Sequence, residues 1–167
     1  MRSGGADGPA YMCTMIDALR RILSWTPVDA APPPTPVRAA AALMVEVSRA
    51  DGGHTPAQQA LIRQHLADLF ALSPQEAAAE MALGEAEQAD AADLVRFTRV
   101  LKTGLDHEAR VGLMAGLWAV VLADGKRHPQ EDALLRRLPP LLAITDHDSA
   151  RARRRAMADT EVSTGGD

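Results

Sequence analysis

The stretch Leu43-Met-Val-Glu-Val-Ser-Arg-Ala-Asp-Gly52 decides the fold, because its ending recurs 73 positions later in Leu117-Trp-Ala-Val-Val-Leu-Ala-Asp-Gly125. Both stretches carry apolar residues at helical spacing and end in Ala-Asp-Gly. Glycine ends a helix at low cost, since it adopts a left-handed backbone conformation without strain. Each stretch is therefore predicted to be a helix that stops at an Asp-Gly turn.

A second helix is predicted after each turn. Thr55-Pro-Ala-Gln58 and His128-Pro-Gln-Glu131 both place proline at the first helical position, and Thr55 with Gln58 forms a capping box. The two copies together predict an internal duplication, in which two pseudo-symmetric helical hairpins bury their apolar faces against each other. The matching positions are Val47, Ala50, Asp51, Gly52, Pro56, Ala60, Leu61, Arg63 and Leu69 with Val120, Ala123, Asp124, Gly125, Pro129, Ala133, Leu134, Arg136 and Leu142.

The fold class predicted is all-α, a compact bundle of about seven helices, because every segment after the prolines has a helical period. Gly84 is a possible weak point in the third helix, and Pro139-Pro140 predicts a break or kink in the sixth. The predicted helices are Val37 to Ala50, Pro56 to about Phe70, Pro74 to Gln88, Asp90 to Leu105, a heavily buried one after Asp106, one from Pro129 to Leu138, and one from Thr145 to Arg155.

Composition limits the domain count and the partners. The 167 residues suffice for one domain with a core, which must consist of Leu, Ala, Val and Met because only 3% are aromatic. The net charge of -4 gives no broad basic face for nucleic acid. No uncharged apolar run reaches the roughly 18 residues that span a bilayer, so the chain is expected not to be transmembrane itself.

Three regions are expected along the chain. Residues 1–36 hold a short amphipathic segment and a Pro-rich linker, residues 37–156 form the helical domain, and residues 157–167 form a disordered tail. No secretion signal is visible at the start, and the single cysteine, Cys13, has no second thiol for a disulfide. These features predict a cytoplasmic protein.

The chain resembles the TerB family of tellurite-resistance proteins. The resemblance is carried by the two Ala-Asp-Gly stretches, by Asp93-Leu-Val-Arg-Phe-Thr98 between them, and by Glu131 six residues after the second turn. It implies a helical bundle with a role in bacterial tellurite and stress resistance. It also implies a divalent-metal site of acidic residues and protein partners, including a membrane-associated resistance complex. The first copy departs from an acidic pattern, since it has Gln58 where the second has Glu131.

Asp51, Asp124 and Glu131 are the candidate metal ligands, because carboxylate oxygens suit a hard divalent cation. A structural interpretation stays open beside this one, since Asp-Gly pairs form turns and Glu131 stands where a capping box needs it. An EF-hand is excluded, because the twelfth residue from either aspartate is Ile62 or Leu135 and not glutamate.

Two further features have alternative interpretations. His54 and His128 flank the turns as possible nitrogen ligands for a transition metal, or as solvated loop residues. The run Arg151-Ala-Arg-Arg-Arg155 either contacts an anionic partner or opposes the dipole of a last helical turn.

The sequence contains no nucleophile elbow and no phosphate-binding loop, so an enzyme is not expected. The leading hypothesis is a non-catalytic TerB-like interaction module that binds a divalent metal ion. The alternatives are a metal-dependent enzyme that uses the same acids, and a co-chaperone-like adaptor without a metal.

Overall fold

The computed structural model describes residues 33–50, 52–90, 93–123, 125 and 128–164, with side chains to residue 160. The described residues contain seven helices and no strand, which confirms the all-α prediction. The amphipathic segment predicted before the linker lies outside the described residues. The helices are α1 (Pro36–Ser48), α2 (Pro56–Phe70), α3 (Pro74–Asp90), α4 (Leu94–Gly104), α5 (His107–Leu122), α6 (Pro129–Leu141) and α7 (Asp146–Thr164).

Local hydrogen bonds fix where the helices begin. The Thr55 hydroxyl accepts from the Gln58 amide at 3.2 Å, and the Gln58 side chain accepts from the Thr55 amide at 2.9 Å. Ser73 and Glu76 form the same reciprocal box at α3. Asp106 caps α5 by accepting from the Ala109 amide at 2.8 Å. The Thr55–Gln58 cap was predicted from sequence, and all three caps are local because each joins residues only three positions apart.

Helix α1 lies at the centre of the bundle. Nine of its 13 residues are buried, including all of Ala39 to Val45, and it packs against α2, α3, α4, α5 and α6. Helix α5 is the second buried helix, with ten of 16 residues buried. A core built mainly of Ala, Leu, Val and Met is confirmed, and Phe97 is its largest fully buried side chain.

The largest helix interfaces lie between α1 and α3 and between α5 and α7. In each case the partner is the second helix along the chain rather than the next one. Contacts within the predicted hairpins, α1 with α2 and α5 with α6, are less extensive. The internal duplication stays a prediction, although α2 and α6 both begin at the expected prolines and Gly52 and Gly125 both have positive φ.

Gly84 is the point of closest approach between α3 and α1. A Cβ atom at Gly84 would lie 2.5 Å from the Ala41 Cβ and 2.8 Å from the Ala42 backbone nitrogen. Backbone cannot move aside as a flexible side chain can, so only glycine fits here. The prediction of a weak point was made from helix propensity alone, and the structure gives the glycine a packing role.

We predict that Gly84→Ala lowers the free energy of unfolding by about 1–3 kcal/mol, because overpacking outweighs the gain in helix propensity. Gly112→Ala is the matched control, since a Cβ there meets only the Leu69 Cδ1 at 3.6 Å. It should raise stability by about 0.5–1 kcal/mol. Urea unfolding of both variants measures the difference, and equal effects of the same sign would contradict the packing role.

Helix α6 does not break at Pro139-Pro140 but continues to Leu141, so the predicted break was wrong, while the alternative of a kink stays a prediction. The prolines lie in the last turn, where the end of the helix is closed by other hydrogen bonds. The Ile144 amide donates to the Pro139 carbonyl at 3.0 Å and the Ala143 amide donates to the Pro140 carbonyl at 3.3 Å. This Schellman pattern requires a left-handed residue, and Ala143 has φ +51°.

Ala143 is therefore a strained position, since a left-handed conformation costs alanine roughly 1–2 kcal/mol. We predict that Ala143→Gly raises the free energy of unfolding by about 0.5–1 kcal/mol after the entropy of the unfolded glycine is deducted. Ala133→Gly, at an exposed interior position of the same helix, should lower it by about 1 kcal/mol. Thermal or urea unfolding measures the change in unfolding free energy for both variants. A lack of stabilisation in Ala143→Gly would refute the argument.

Helix α7 continues to Thr164, past the predicted end at Arg155 and into the predicted tail. Neither glycine nor proline interrupts the chain between Ala156 and Thr164, and Ala152 and Ala156 are buried. The arginine run consequently lies in the middle of the helix. The last turn carries no basic residue, so the helix-dipole interpretation of these arginines was wrong.

Within the part of the chain that the structure describes, no helix combines the length and the apolar character that crossing a membrane requires.

Candidate functional site

The two Ala-Asp-Gly turns were expected to carry the site. Gly52 has φ +85° and Gly125 has φ +68°, which glycine adopts without strain. Asp51 and Asp124 lie outside the described residues, so the structure does not locate two of the three candidate ligands. The predicted cluster of Asp51, Asp124 and Glu131 stays a prediction.

Glu131, the third candidate, is completely buried in the first turn of α6. The matching residue of α2 is Gln58, which is 2% exposed. The two matching positions differ, because Thr55 forms a capping box with Gln58 whereas the His128 side chain forms no capping hydrogen bond at the start of α6.

His54 links the loop after α1 to α3. The Ser48 hydroxyl lies 2.9 Å from the Val45 carbonyl and 2.6 Å from the His54 Nδ1. The Glu85 carboxylate lies 3.1 Å from Nε2 and accepts a hydrogen bond from it. Both ring nitrogens of His54 are therefore already within hydrogen-bond distance of a protein partner.

The hydrogen bonds extend along the same face of α1 and α3. Arg49 donates to the Gln88 side chain at 2.9 Å, and the Gln88 amide donates to Glu46 at 2.7 Å. Arg49 also lies 4.0 Å from Glu85. The two ends of the Asp51 turn, at Arg49 and His54, are thereby fixed to one helix. Among the described residues, no group of three or more His, Cys, Asp or Glu side chains is placed to hold a metal ion.

A groove of about 810 Å³ lies elsewhere, between α2, α5 and α7. Small residues of α5 and its C-cap line it, Gly112, Ala115, Ala119 and Ala123. Their helical spacing was visible in the sequence, but it was not recognised as a groove. The polar groups are His65 and Asp68 of α2 with Arg155 and Asp159 of α7. Sequence reasoning missed this combination, because the two halves are about ninety residues apart along the chain and only tertiary packing brings them together.

A family model described as "Tellurite resistance protein TerB" matches residues 37–154. The chain belongs to the TerB family. This match confirms the resemblance drawn from the Ala-Asp-Gly stretches, and it covers all of the first six helices except Pro36. Comparisons with curated proteins and with solved structures found no match.

The pKa of His65 is shifted by its surroundings in this groove of the TerB domain. Burial lowers its pKa below the usual 6.5, and Arg155 acts in the same direction, while Asp68 and Asp159 oppose the shift. The neutral imidazole is therefore the favoured form in the folded protein. A neutral histidine beside two carboxylates can accept a proton or donate a hydrogen bond to a ligand in this groove.

The lowered pKa predicts a pH dependence of stability. Because unfolded His65 binds a proton more readily than the folded one, its contribution is complete above about pH 6.5 and is lost as the pH falls through the folded pKa. We predict that the loss of unfolding free energy between pH 7.5 and pH 5 is smaller in His65→Gln than in the unmodified chain. His147→Gln, at an exposed histidine, is the control and should keep the original slope. Equal slopes for all three proteins would disprove the assignment.

Proposed function

We propose that this TerB domain is a non-catalytic interaction module of a bacterial tellurite- and stress-resistance system, and that Asp51, Asp124 and Glu131 bind a divalent metal ion. The family match over residues 37–154 supports the link to tellurite resistance. The metal and the partners rest on arguments from individual residues.

The position of Glu131 is the observation that carries the metal proposal, because a carboxylate stands in the first turn of α6 where the matching position of α2 has the uncharged Gln58. Glu131 lies in the α6 turn that follows Gly125, so it is close in sequence to Asp124. Three carboxylates form a hard oxygen donor set that suits Mg²⁺ or Ca²⁺ better than a soft metal.

The first copy supplies less than the second to such a site. Gln58 has no charge, and its side-chain oxygen is already held by the Thr55 amide and hydroxyl. His54 is occupied by Ser48 and Glu85. We therefore expect an asymmetric site in which Glu131 and Asp124 are the main ligands and the first copy contributes Asp51 alone.

The metal proposal predicts that Mg²⁺ or Ca²⁺ raises the melting temperature of the full chain, and that Glu131→Gln abolishes this rise. Ligand binding to the folded state alone stabilises by about 2.7 kcal/mol at a concentration of 100 Kd. Isothermal titration and thermal unfolding with Mg²⁺, Ca²⁺ and Zn²⁺ measure the effect. Glu108→Gln removes an exposed carboxylate from the first turn of α5 and serves as the matched control.

The outcomes separate the alternatives. An equal metal-induced rise in melting temperature for Glu131→Gln and Glu108→Gln would mean that the metal binds elsewhere. If none of the three ions gives binding heat, the alternative of an adaptor that binds no metal is favoured. Metal binding accompanied by turnover of a substrate that depends on Glu131 would favour the enzyme.

The resistance role is tested in cells. Deleting the gene from its source bacterium should lower the tellurite concentration that the strain tolerates, and the unmodified gene should restore it. Unchanged tolerance after deletion would refute the tellurite role whatever the metal experiments give.

A further inference from the structure

A second groove, between α5, α6 and α7, carries arginines on an aromatic and aliphatic surface. Its volume is about 650 Å³. The Arg153 guanidinium lies over the Trp118 ring, 5.1 Å from the ring centre. Such a cation–π contact helps to hold the guanidinium in place at the groove. Arg136 and Arg154 line the same groove.

These arginines are poorly neutralised. Within the described residues, Arg153 and Arg154 form no ion pair, and Arg136 approaches Asp132 only at 4.0 Å while its own side chain is 79% exposed. The Nε atom of Arg153 and the Nε1 atom of Trp118 are buried without a hydrogen-bond acceptor. Buried donors are normally satisfied, so this part of the groove is rich in donors and poor in acceptors.

The groove also exposes apolar surface. Met157 is 43% exposed although it is a large hydrophobic residue, and it lies beside the largely buried side chains of Trp118, Leu135 and Pro139 that line the groove. A bare anion would satisfy the arginines but would leave this surface in water. A ligand with both acidic and apolar side chains would cover both.

The length of the groove indicates an extended ligand. Its α7 residues run from Asp146 to Met157, which at 1.5 Å per residue is about 16 Å of helix. This span exceeds a single phosphate or carboxylate and corresponds to three turns of a peptide helix. Asp146 and the net charge of -4 disfavour a nucleic acid.

We infer that the groove formed by Trp118, Arg136, Arg153, Arg154 and Met157 binds an acidic, amphipathic peptide segment of a partner protein. The carboxylates of the segment pair with the three arginines, and its apolar side chains cover Trp118 and Met157. Arg153 is held at the centre by its stacking on Trp118, so it is expected to contribute most. This inference rests on the proposed role as an interaction module and specifies the chemistry of the partner.

The test uses Trp118 as its own reporter. The chain has two tryptophans, Trp25 and Trp118, so the full chain with Trp25→Phe emits from Trp118 alone. The probe is a synthetic peptide of about 14 residues, roughly four helical turns, with Leu on one face and Glu on the other. Its binding should change the Trp118 fluorescence with a saturable dependence on concentration, and added salt should weaken the affinity.

The double variant Arg153→Gln with Arg154→Gln should weaken peptide binding by at least about tenfold, because each rim or stacked charge contributes to encounter and affinity. Arg155→Gln is the matched control, since Arg155 is the next residue of the same helix but lines the α2–α5–α7 groove. It should leave the affinity unchanged. Circular dichroism before titration checks that all variants keep the same helix content.

Several results would overturn the inference. These are the absence of saturable binding, equal weakening by Arg155→Gln, equal binding of a peptide in which Lys replaces every Glu, and full competition by inorganic phosphate or by a short single-stranded oligonucleotide. The tellurite experiment is independent of these results. If gene deletion lowers tolerance but no peptide binds, the inference about this groove is refuted and the proposed resistance function stands. If the peptide binds but tolerance is unchanged, the resistance function is refuted and the inference about the groove stands.

Discussion

The burial of α1 is the constraint on which the rest of the bundle depends. Four consecutive alanines, Ala39 to Ala42, are completely inaccessible to solvent, and their small side chains let neighbouring helices approach closely. The close approach of Gly84 to Ala41 is the clearest example of such close helix packing. Because α1 touches five other helices, a shift of α1 would disturb almost every interface, and the turn at its end is fixed with it. The network from Arg49 and His54 to α3 adds polar ties at that end.

The sequence predicted the helices well where the deciding interactions are local. The capping box of Thr55 with Gln58 acts over three residues, so the residues of one short stretch were enough to predict the start of that helix. Prediction from the sequence failed where residues far apart along the chain determine the structure. Gly84 was judged by propensity, but its partner Ala41 is 43 residues away. The break at Pro139-Pro140 was judged by interior cost, but these prolines stand in a last turn that the Ile144 and Ala143 amides close.

The candidate site was predictable to a smaller extent. Glu131 was identified from the resemblance of its surroundings to TerB proteins, and the structure adds that its carboxylate is buried, which spacing alone does not give. The groove with His65 and Asp159 was not predicted, because residues of α2 and α7 meet only through the packing of both helices on α5. A helical pattern in the sequence indicates on which face of its own helix a residue lies. The element that this face meets is a tertiary property.

Helix α7 shows how one element produces two chemically different surfaces. Ala152 and Ala156 are buried, so the residues between and beside them point to either side of the helix. Arg153 and Arg154 line one groove and Arg155 lines the other, where Asp68, Asp159 and His65 surround it. Net charge cannot report this separation, because it sums both grooves and the rest of the surface. An overall charge of -4 is therefore compatible with a local cationic groove. The contact of Arg153 with Trp118 places positive charge beside apolar side chains in one groove, and it is this combination that led us to infer an acidic, amphipathic peptide as its ligand.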